Sequence, residues 1–197
     1  MRLIKKVILL AAASTAWTVV APAILSAQSS GVGADGWTRF YWRGTDSSLY
    51  LWKVDSNLAN AVSKTYGPYD GWYPKAITVG SDNWTRVLWR YTDGSINLWL
   101  TDGNLNYLSS KTYGPYPGWL AESISIEYPS NRLRVIWKET TGKLYVWILD
   151  ANLNFITSQS YGPFFGYDPY AATNPANSTT QNAPADMQRG SATTLPQ

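Results

Sequence analysis

The chain has 197 residues, 45% of them hydrophobic, with 16 Lys and Arg against 13 Asp and Glu and a formal net charge of +3. It contains no cysteine, so the fold cannot rest on disulfide bonds, and no histidine, so the commonest general base and metal ligand are both missing. We therefore expect no catalytic site, no metal site and no cofactor.

The N-terminus has the pattern of a secretory signal peptide. Basic Arg2, Lys5 and Lys6 precede an apolar run that ends in Ser26-Ala27, and small residues are typical of the cleavage site. We predict a signal peptide at 1–27, and an uncleaved membrane anchor is the alternative. The three cations account for the whole formal charge, so the processed chain is neutral. Neutrality gives no reason to expect a nucleic-acid partner, and we predict a secreted, periplasmic or cell-surface protein without a membrane span.

A repeat of about 47 residues organises the centre of the chain. Two features recur in register, a turn motif and a pair of tryptophans, and a period in this range indicates a repeat architecture. The turn motifs are Tyr66-Gly67-Pro68-Tyr69, Tyr113-Gly114-Pro115-Tyr116 and Tyr161-Gly162-Pro163-Phe164, and the pairs are Trp42/Trp52, Trp89/Trp99 and Trp137/Trp147.

Each repeat is expected to contain four short strands. In the middle copy the β-rich runs are 75–79, 85–91, 95–100 and 107–113, separated by turn residues and without helical periodicity. This pattern predicts an all-β protein. Both faces of the central hairpin carry large apolar groups, which indicates sheets stacked face to face rather than one sheet with a polar outer face.

The central hairpin can be given a predicted register. If Asp93-Gly94 is a two-residue loop, Trp89 faces Leu98 and Arg90 faces Asn97. Trp89 then lies on an apolar face, whereas Trp99 lies on the opposite face among cations. The same register is expected in the other two repeats.

The ends of the repeat array are irregular. We predict a signal peptide at 1–27, an all-β domain at 28–170 and a disordered low-complexity tail at 172–197. Within the domain the repeats span 32–70, 71–117 and 118–165, and a partial strand at 166–171 starts a fourth copy. The first strand of copy one is largely missing, and the strand at 166–171 could replace it and so close a ring. The alternative is that this strand is the remnant of a decayed fourth repeat.

The repeat pattern resembles a family of secreted bacterial proteins with tandem Tyr-Gly-Pro-Tyr-x-Gly-Trp repeats. Those repeats look like the blades of lectin-type β-propellers, and the resemblance implies a propeller-like array and a binding or adhesion role. Propellers normally have four or more blades, so three repeats imply an open arc, a small ring or half of a dimeric ring. A β-trefoil and a β-prism are the alternative folds with three units.

The acidic residues do not suggest chemistry. Most Asp residues lie at equivalent turns, where Asx turns explain the recurring Asp-x-Asn. Glu122 and Glu127 lie on one strand and should point to opposite faces, whereas a glycosidase needs two convergent carboxylates. We predict a protein that is not an enzyme.

Aromatic residues are the candidates for ligand binding. Tyr and Trp are abundant, and flat rings beside polar groups are suited to stacking against sugars. We predict glycans or cell-surface polysaccharide as partners, bound weakly and multivalently. The candidate residues are Trp72, Trp119, Tyr167, Tyr69, Tyr116, Trp37 and Trp84. The alternatives are an aromatic clasp that seals one repeat to the next, and a structural or protein-interaction domain, including a homo-oligomer that completes a ring.

Overall fold

The computed structural model describes residues 30–166, which form β-strands joined by turns and contain no helix. In chain order the strands are β1 (Ser30–Val32), β2 (Thr38–Arg43), β3 (Leu49–Val54), β4 (Ala61–Tyr66), β5 (Trp72–Val79), β6 (Thr85–Tyr91), β7 (Ile96–Thr101), β8 (Tyr107–Tyr113), β9 (Trp119–Ile126), β10 (Leu133–Glu139), β11 (Leu144–Leu149) and β12 (Phe155–Tyr161).

The strands form three antiparallel sheets, each built from one repeat. Sheet 1 has the order β1-β2-β3-β4, sheet 2 the order β5-β6-β7-β8 and sheet 3 the order β9-β10-β11-β12. The all-β prediction is therefore confirmed, as is the division into four-stranded units. The described residues begin with β1, so the predicted loss of the first strand of copy one stays a prediction.

The sheets stack face to face in chain order. Buried residues of β6 and β7 come from both faces of sheet 2, and the two cores of the molecule lie on either side of it. We call the contact of sheets 1 and 2 the first joint and the contact of sheets 2 and 3 the second joint. A sheet buried on both faces needs apolar residues on both, which explains the absence of simple alternation in β6.

The predicted hairpin register is wrong by one residue. The loop has three residues, Thr92-Asp93-Gly94, because the Tyr91 amide donates to the Ser95 carbonyl oxygen at 2.8 Å. Gly94 has φ +87°, and a type I turn followed by a left-handed residue closes a three-residue loop. Trp89 consequently faces Asn97 and not Leu98.

This one-residue shift moves every side chain of β7 to the opposite face. Trp89 and Trp99 now share one side of the sheet, which we call the tryptophan face. Leu88, Ile96 and Leu98 share the other, the aliphatic face. The expectation that one tryptophan of each pair lies among cations is thus incorrect.

The predicted Asx turns are confirmed. Asp102 Oδ1 accepts hydrogen bonds from the Asn104 and Asn106 amides, both at 2.8 Å, and Asp150 holds the equivalent turn in sheet 3. The two carboxylates therefore stabilise their turns by accepting backbone hydrogen bonds, which is a structural role.

Several predicted features lie outside the described residues. They are the signal peptide 1–27, the tail 172–197, Tyr167 and all of the partial strand 166–171 except Gly166. None of the described residues belongs to a helix of the length and apolar character needed to span a membrane.

Candidate functional site

Each sheet carries a pair of tryptophans, and the pairs of sheets 2 and 3 form the floors of the first and second joints. The two rings of a pair lie 4.8 Å apart in sheet 1, 5.0 Å in sheet 2 and 4.8 Å in sheet 3, measured between centroids. They touch because the three-residue loop puts both on one face. The tryptophan face of a sheet is turned toward the preceding sheet, and the aliphatic face toward the following one.

The tyrosines of the first two turn motifs cover the tryptophan pair of the next sheet. Tyr69 lies edge-on to Trp89 at 5.5 Å and to Trp99 at 5.3 Å. Tyr116 repeats this on Trp137 and Trp147, 5.5 Å from each. Edge-to-face contacts of this kind stabilise aromatic pairs by about 1 kcal/mol. These contacts place Tyr69 and Tyr116 between one repeat and the next.

A pocket of about 200 Å³ opens at the first joint. Five side chains line it, and none of them is charged: Tyr69, Trp72, Trp89, Asn97 and Trp99. Tyr69 comes from the motif that follows sheet 1 and the others from sheet 2, so the pocket exists only where the two repeats meet. Trp72 is half-buried and lies 5.1 Å from Tyr91.

The pocket depends on one departure from the repeat. Asn97 faces Trp89, whereas the equivalent residues, Tyr50 in sheet 1 and Tyr145 in sheet 3, are tyrosines facing Trp42 and Trp137. At the second joint the Tyr145 ring is buried and lies 4.5 Å from Trp119, edge-on. A tyrosine thus fills the space that an asparagine leaves open.

Asn97 also brings polar atoms to the pocket. Its Nδ2 donates to Thr112 Oγ1 at 2.7 Å, and its Oδ1 has no hydrogen-bond partner among the described residues. The Trp89 indole nitrogen is likewise without a partner there, although the Trp137 nitrogen at the second joint shares that property. The side-chain amide of Asn97, in place of the tyrosine at the equivalent positions, is the group that distinguishes the first joint chemically.

Burial affects the tyrosine of the pocket as well. It raises the pKa of Tyr69 above the usual value of 10.0, with a smaller contribution from Tyr107 in the same direction. The phenol therefore stays protonated at neutral pH and can donate a hydrogen bond. The lining is neutral overall.

The other candidate residues have different environments. Trp37 lies beneath Lys53, whose Nζ is 4.6 Å from the ring centroid and donates to the Gly103 carbonyl oxygen at 2.6 Å. Trp84, Tyr116 and Trp119 are half-buried against the core of the second joint. Tyr167 lies beyond the described residues. Of the candidates among the described residues, Tyr69 and Trp72 line the pocket.

Asn97, Trp89 and Trp99 were not among the candidate residues predicted from the sequence. The tryptophans are indeed buried, but their edges also line the pocket. The available signal was the alignment of the repeats, where Asn97 is the polar exception between two tyrosines.

The two glutamates considered as a catalytic pair, Glu122 and Glu127, are engaged in ion pairs. Glu122 pairs with Lys75 at 2.7 Å and Arg90 at 3.3 Å, and Glu127 lies 3.1 Å from Arg132. Within residues 30–166 no group of three acidic, histidine or cysteine side chains is placed to hold a metal ion.

Comparison with known proteins gives distant structural likenesses alone. No protein family and no curated protein matches the chain. It is similar to a protein of unknown function from Bacteroides caccae, with 11% identity, a TM-score of 0.46 and coverage of 66% of this chain and 44% of that one. It is also similar to a quinonprotein alcohol dehydrogenase-like protein from Bacteroides thetaiotaomicron, with 13% identity, a TM-score of 0.44 and coverage of 68% and 33%. This chain thus spans less than half the length of either.

Proposed function

We propose that this chain is an exported binding module that takes a neutral sugar in the pocket at the first joint. The observation that carries the proposal is the uncharged aromatic pocket around Asn97. Apolar C–H faces of a sugar stack on aromatic rings, and the Asn97 side-chain amide in the lining offers a hydroxyl group a polar partner.

The size and charge of the pocket define the ligand further. At about 200 Å³ it is smaller than the roughly 300 Å³ at which pockets for drug-sized ligands begin. A single sugar ring, at a chain end or within a glycan, suits this space better than an extended oligosaccharide. With no cation in the lining, neutral sugars are favoured over uronic or sialic acids.

The role is binding without catalysis. Glu122, an acidic residue with no repeat equivalent, forms ion pairs with Lys75 and Arg90 instead of lining the pocket. A shallow site for one ring binds weakly, so adhesion to a surface polysaccharide requires several sites acting together. The Tyr145 ring fills the second joint, so multivalency comes from several chains.

The architecture that we propose for this role is a β-propeller-like array, in which each sheet is one blade. Sheet 2, buried on both faces between its neighbours, supports this arrangement. A β-trefoil or a β-prism would not stack the middle unit in this way.

Binding is tested on an array of neutral and acidic glycans, followed by calorimetry with the best neutral sugar. We expect the wild type to bind and Asn97→Tyr to lose binding while keeping its thermal midpoint, because tyrosine is the native residue at the two equivalent positions. Trp72→Ala should lose binding, and Trp119→Ala, its counterpart at the filled joint, is the matched control that should keep it.

Failure of the wild type to bind any glycan would overturn the proposal. Unchanged binding by Asn97→Tyr would show that the pocket is not the site. In either case the structural or protein-interaction role becomes the better explanation, since the tryptophan pairs are otherwise accounted for by packing between repeats.

Export to the periplasm, the medium or the cell surface is part of the same proposal. Expression in a bacterial host, followed by N-terminal sequencing, should give a product beginning at Gln28. A product that keeps residues 1–27 and stays in the membrane fraction would support the anchor instead.

A further inference from the structure

The tryptophan face of sheet 1 is less covered than its equivalents. Trp89 and Trp137 are almost fully buried because the preceding sheet packs on them. Trp42 and Trp52 have the same geometry and are only half-buried. Within the described residues no sheet and no turn motif precedes sheet 1 to cover them.

A leucine at the edge of this face shows the same difference. Leu105 and Leu153 follow equivalent Asx turns and are 0% and 1% exposed. Each has a carbonyl oxygen that accepts a hydrogen bond from a tyrosine of the preceding repeat, Tyr66 and Tyr113 respectively. Leu58 has the same backbone conformation, with φ +58°, but is 76% exposed. Leu58 thus occupies the position that a tyrosine of the preceding repeat would contact, and the described part of the chain contains no such tyrosine.

The opposite end of the array carries the complementary surface. The aliphatic face of sheet 3 contains Ile136, Leu144, Val146 and Ile148, all half-buried. Their counterparts in sheet 2, such as Leu88 and Leu98, are fully buried by sheet 3. Tyr161, equivalent to Tyr66 and Tyr113, is 40% exposed.

We propose that a second copy of the chain docks head to tail, with the aliphatic face of sheet 3 and Tyr161 of one copy on the tryptophan face and Leu58 of the other. A second copy is the expected partner because, at both joints, the aliphatic face of one sheet covers the tryptophan face of the next. Each copy carries one free face of each kind among its described residues. This inference rests on the joints and does not depend on the glycan site.

The proposed assembly closes with two copies. A head-to-tail contact forms a ring if its rotation closes and a filament if it does not. Two copies of the three described sheets make six blades, within the range of about 4 to 8 found in propellers, whereas three copies exceed it. We therefore expect a dimer with two identical contacts.

The contact between copies should be weaker than the joints within a chain. Asn83 Oδ1 accepts from the Asp35 amide across the first joint, and Asn131 Oδ1 accepts from the Ser81 amide across the second, both at 2.8 Å. Sheet 1 has Gly36 at the corresponding position, so the contact between copies lacks this hydrogen bond. The dimer should be reversible.

Sedimentation velocity of the chain purified from an exporting host tests the proposal, over concentrations from about 1 µM to about 1 mM. We expect the wild type to shift from monomer to dimer. Leu58→Asn should remain monomeric at every concentration and keep its circular dichroism, because asparagine tolerates a positive φ. Leu108→Asn, an exposed leucine of the middle sheet, is the control and should dimerise like the wild type.

A wild type that is monomeric throughout would overturn the proposal, and so would a series of species larger than a dimer. Equal dimerisation of Leu58→Asn and the control would also overturn it, because the contact would then lie elsewhere.

Direction is tested by cross-linking, since the chain has no native cysteine. With a short bismaleimide, Leu58→Cys and Tyr161→Cys chains should link when mixed and not when alone. Linking of Leu58→Cys to itself would indicate a head-to-head contact and overturn the proposal. A link within one chain carrying both cysteines, without dimer formation, would show that the ring closes on itself and would overturn it too.

Discussion

Tyr145 occupies in the third repeat the position that Asn97 occupies in the second, and this difference decides which joint is open. Each residue faces the first tryptophan of its pair across the central hairpin. The tyrosine ring lies against Trp119 and fills the joint, whereas the shorter amide leaves the pocket of about 200 Å³. The molecule thus contains an open and a filled version of the same joint.

Opening the filled joint should be costly. Tyr145→Asn removes a buried ring, and we expect the free energy of unfolding to fall by about 3 kcal/mol, as for other large-to-small core substitutions. Denaturant unfolding measures the change. Tyr50→Asn at the half-buried equivalent in sheet 1 is the control and should cost clearly less. Equal losses would mean that the ring of Tyr145 does not fill the joint.

The ion pair of Asp82 and Arg86 should be important for stability. Arg86 is fully buried, and its two terminal nitrogens each lie 2.7 Å from an Asp82 oxygen. Asp82→Asn leaves a buried charge without its partner, which costs about 3–5 kcal/mol. Urea denaturation measures the loss.

The control for that substitution is Asp93→Asn in the exposed hairpin loop. Asp93 Oδ1 accepts from the Ser95 amide at 2.7 Å, and an asparagine keeps this acceptor, so we expect a change below about 0.5 kcal/mol. Similar losses for the two variants would contradict a special role for the buried pair.

Acid should weaken the fold through the same carboxylates. The Arg39 side chain, which hydrogen-bonds Asp35, lowers the pKa of Asp35 against the opposing effect of burial. Burial would raise the pKa of Asp82, but hydrogen bonds from Arg86 and the Trp84 amide outweigh it and lower that pKa. A carboxylate with a lowered folded-state pKa stabilises the fold above its unfolded value, and this contribution is lost as the pH falls through the folded-state value.

We therefore expect the free energy of unfolding to fall as the pH drops below 3.8, the ordinary aspartate value. Urea denaturation between neutral pH and about pH 2 measures the slope. Asp82→Asn removes one of these groups, so its stability should depend less steeply on acid pH than that of the wild type. A slope identical to that of the wild type would argue against the contribution of Asp82.

Gly94 should tolerate no side chain. Its φ is +87°, and an added Cβ would lie 2.3 Å from the Tyr116 carbonyl oxygen. Gly94→Ala should therefore lower the free energy of unfolding by about 3 kcal/mol. Gly118→Ala is the control, since Gly118 has a similar φ of +84° and no atom within 4 Å of an added Cβ. For Gly118→Ala we expect the free energy of unfolding to fall by about 1 kcal/mol. Thermal or urea unfolding measures both losses, and equal losses would contradict the close approach of Gly94 to Tyr116.

Local signals were sufficient for much of the fold. Apolar and β-branched residues bounded by Asp, Asn, Gly and Pro indicate strands, and the predicted 85–91 and 107–113 are β6 and β8 in the structure. The repeated tryptophans and turn motifs likewise predicted three equal all-β units. These features depend on residues close together in the chain, so the sequence alone determined them.

The tertiary structure decided the register, the pocket and the free faces. The hairpin loop has three residues because Gly94 adopts a left-handed conformation, and that choice places Trp89, Asn97 and Trp99 on one face. Tyr69, from the preceding turn motif, then meets this face across the first joint. The same stacking leaves Leu58 exposed where Leu105 and Leu153 are buried. A repeated sequence specifies equivalent units, but only their packing shows which unit has a neighbour and which residue lacks one.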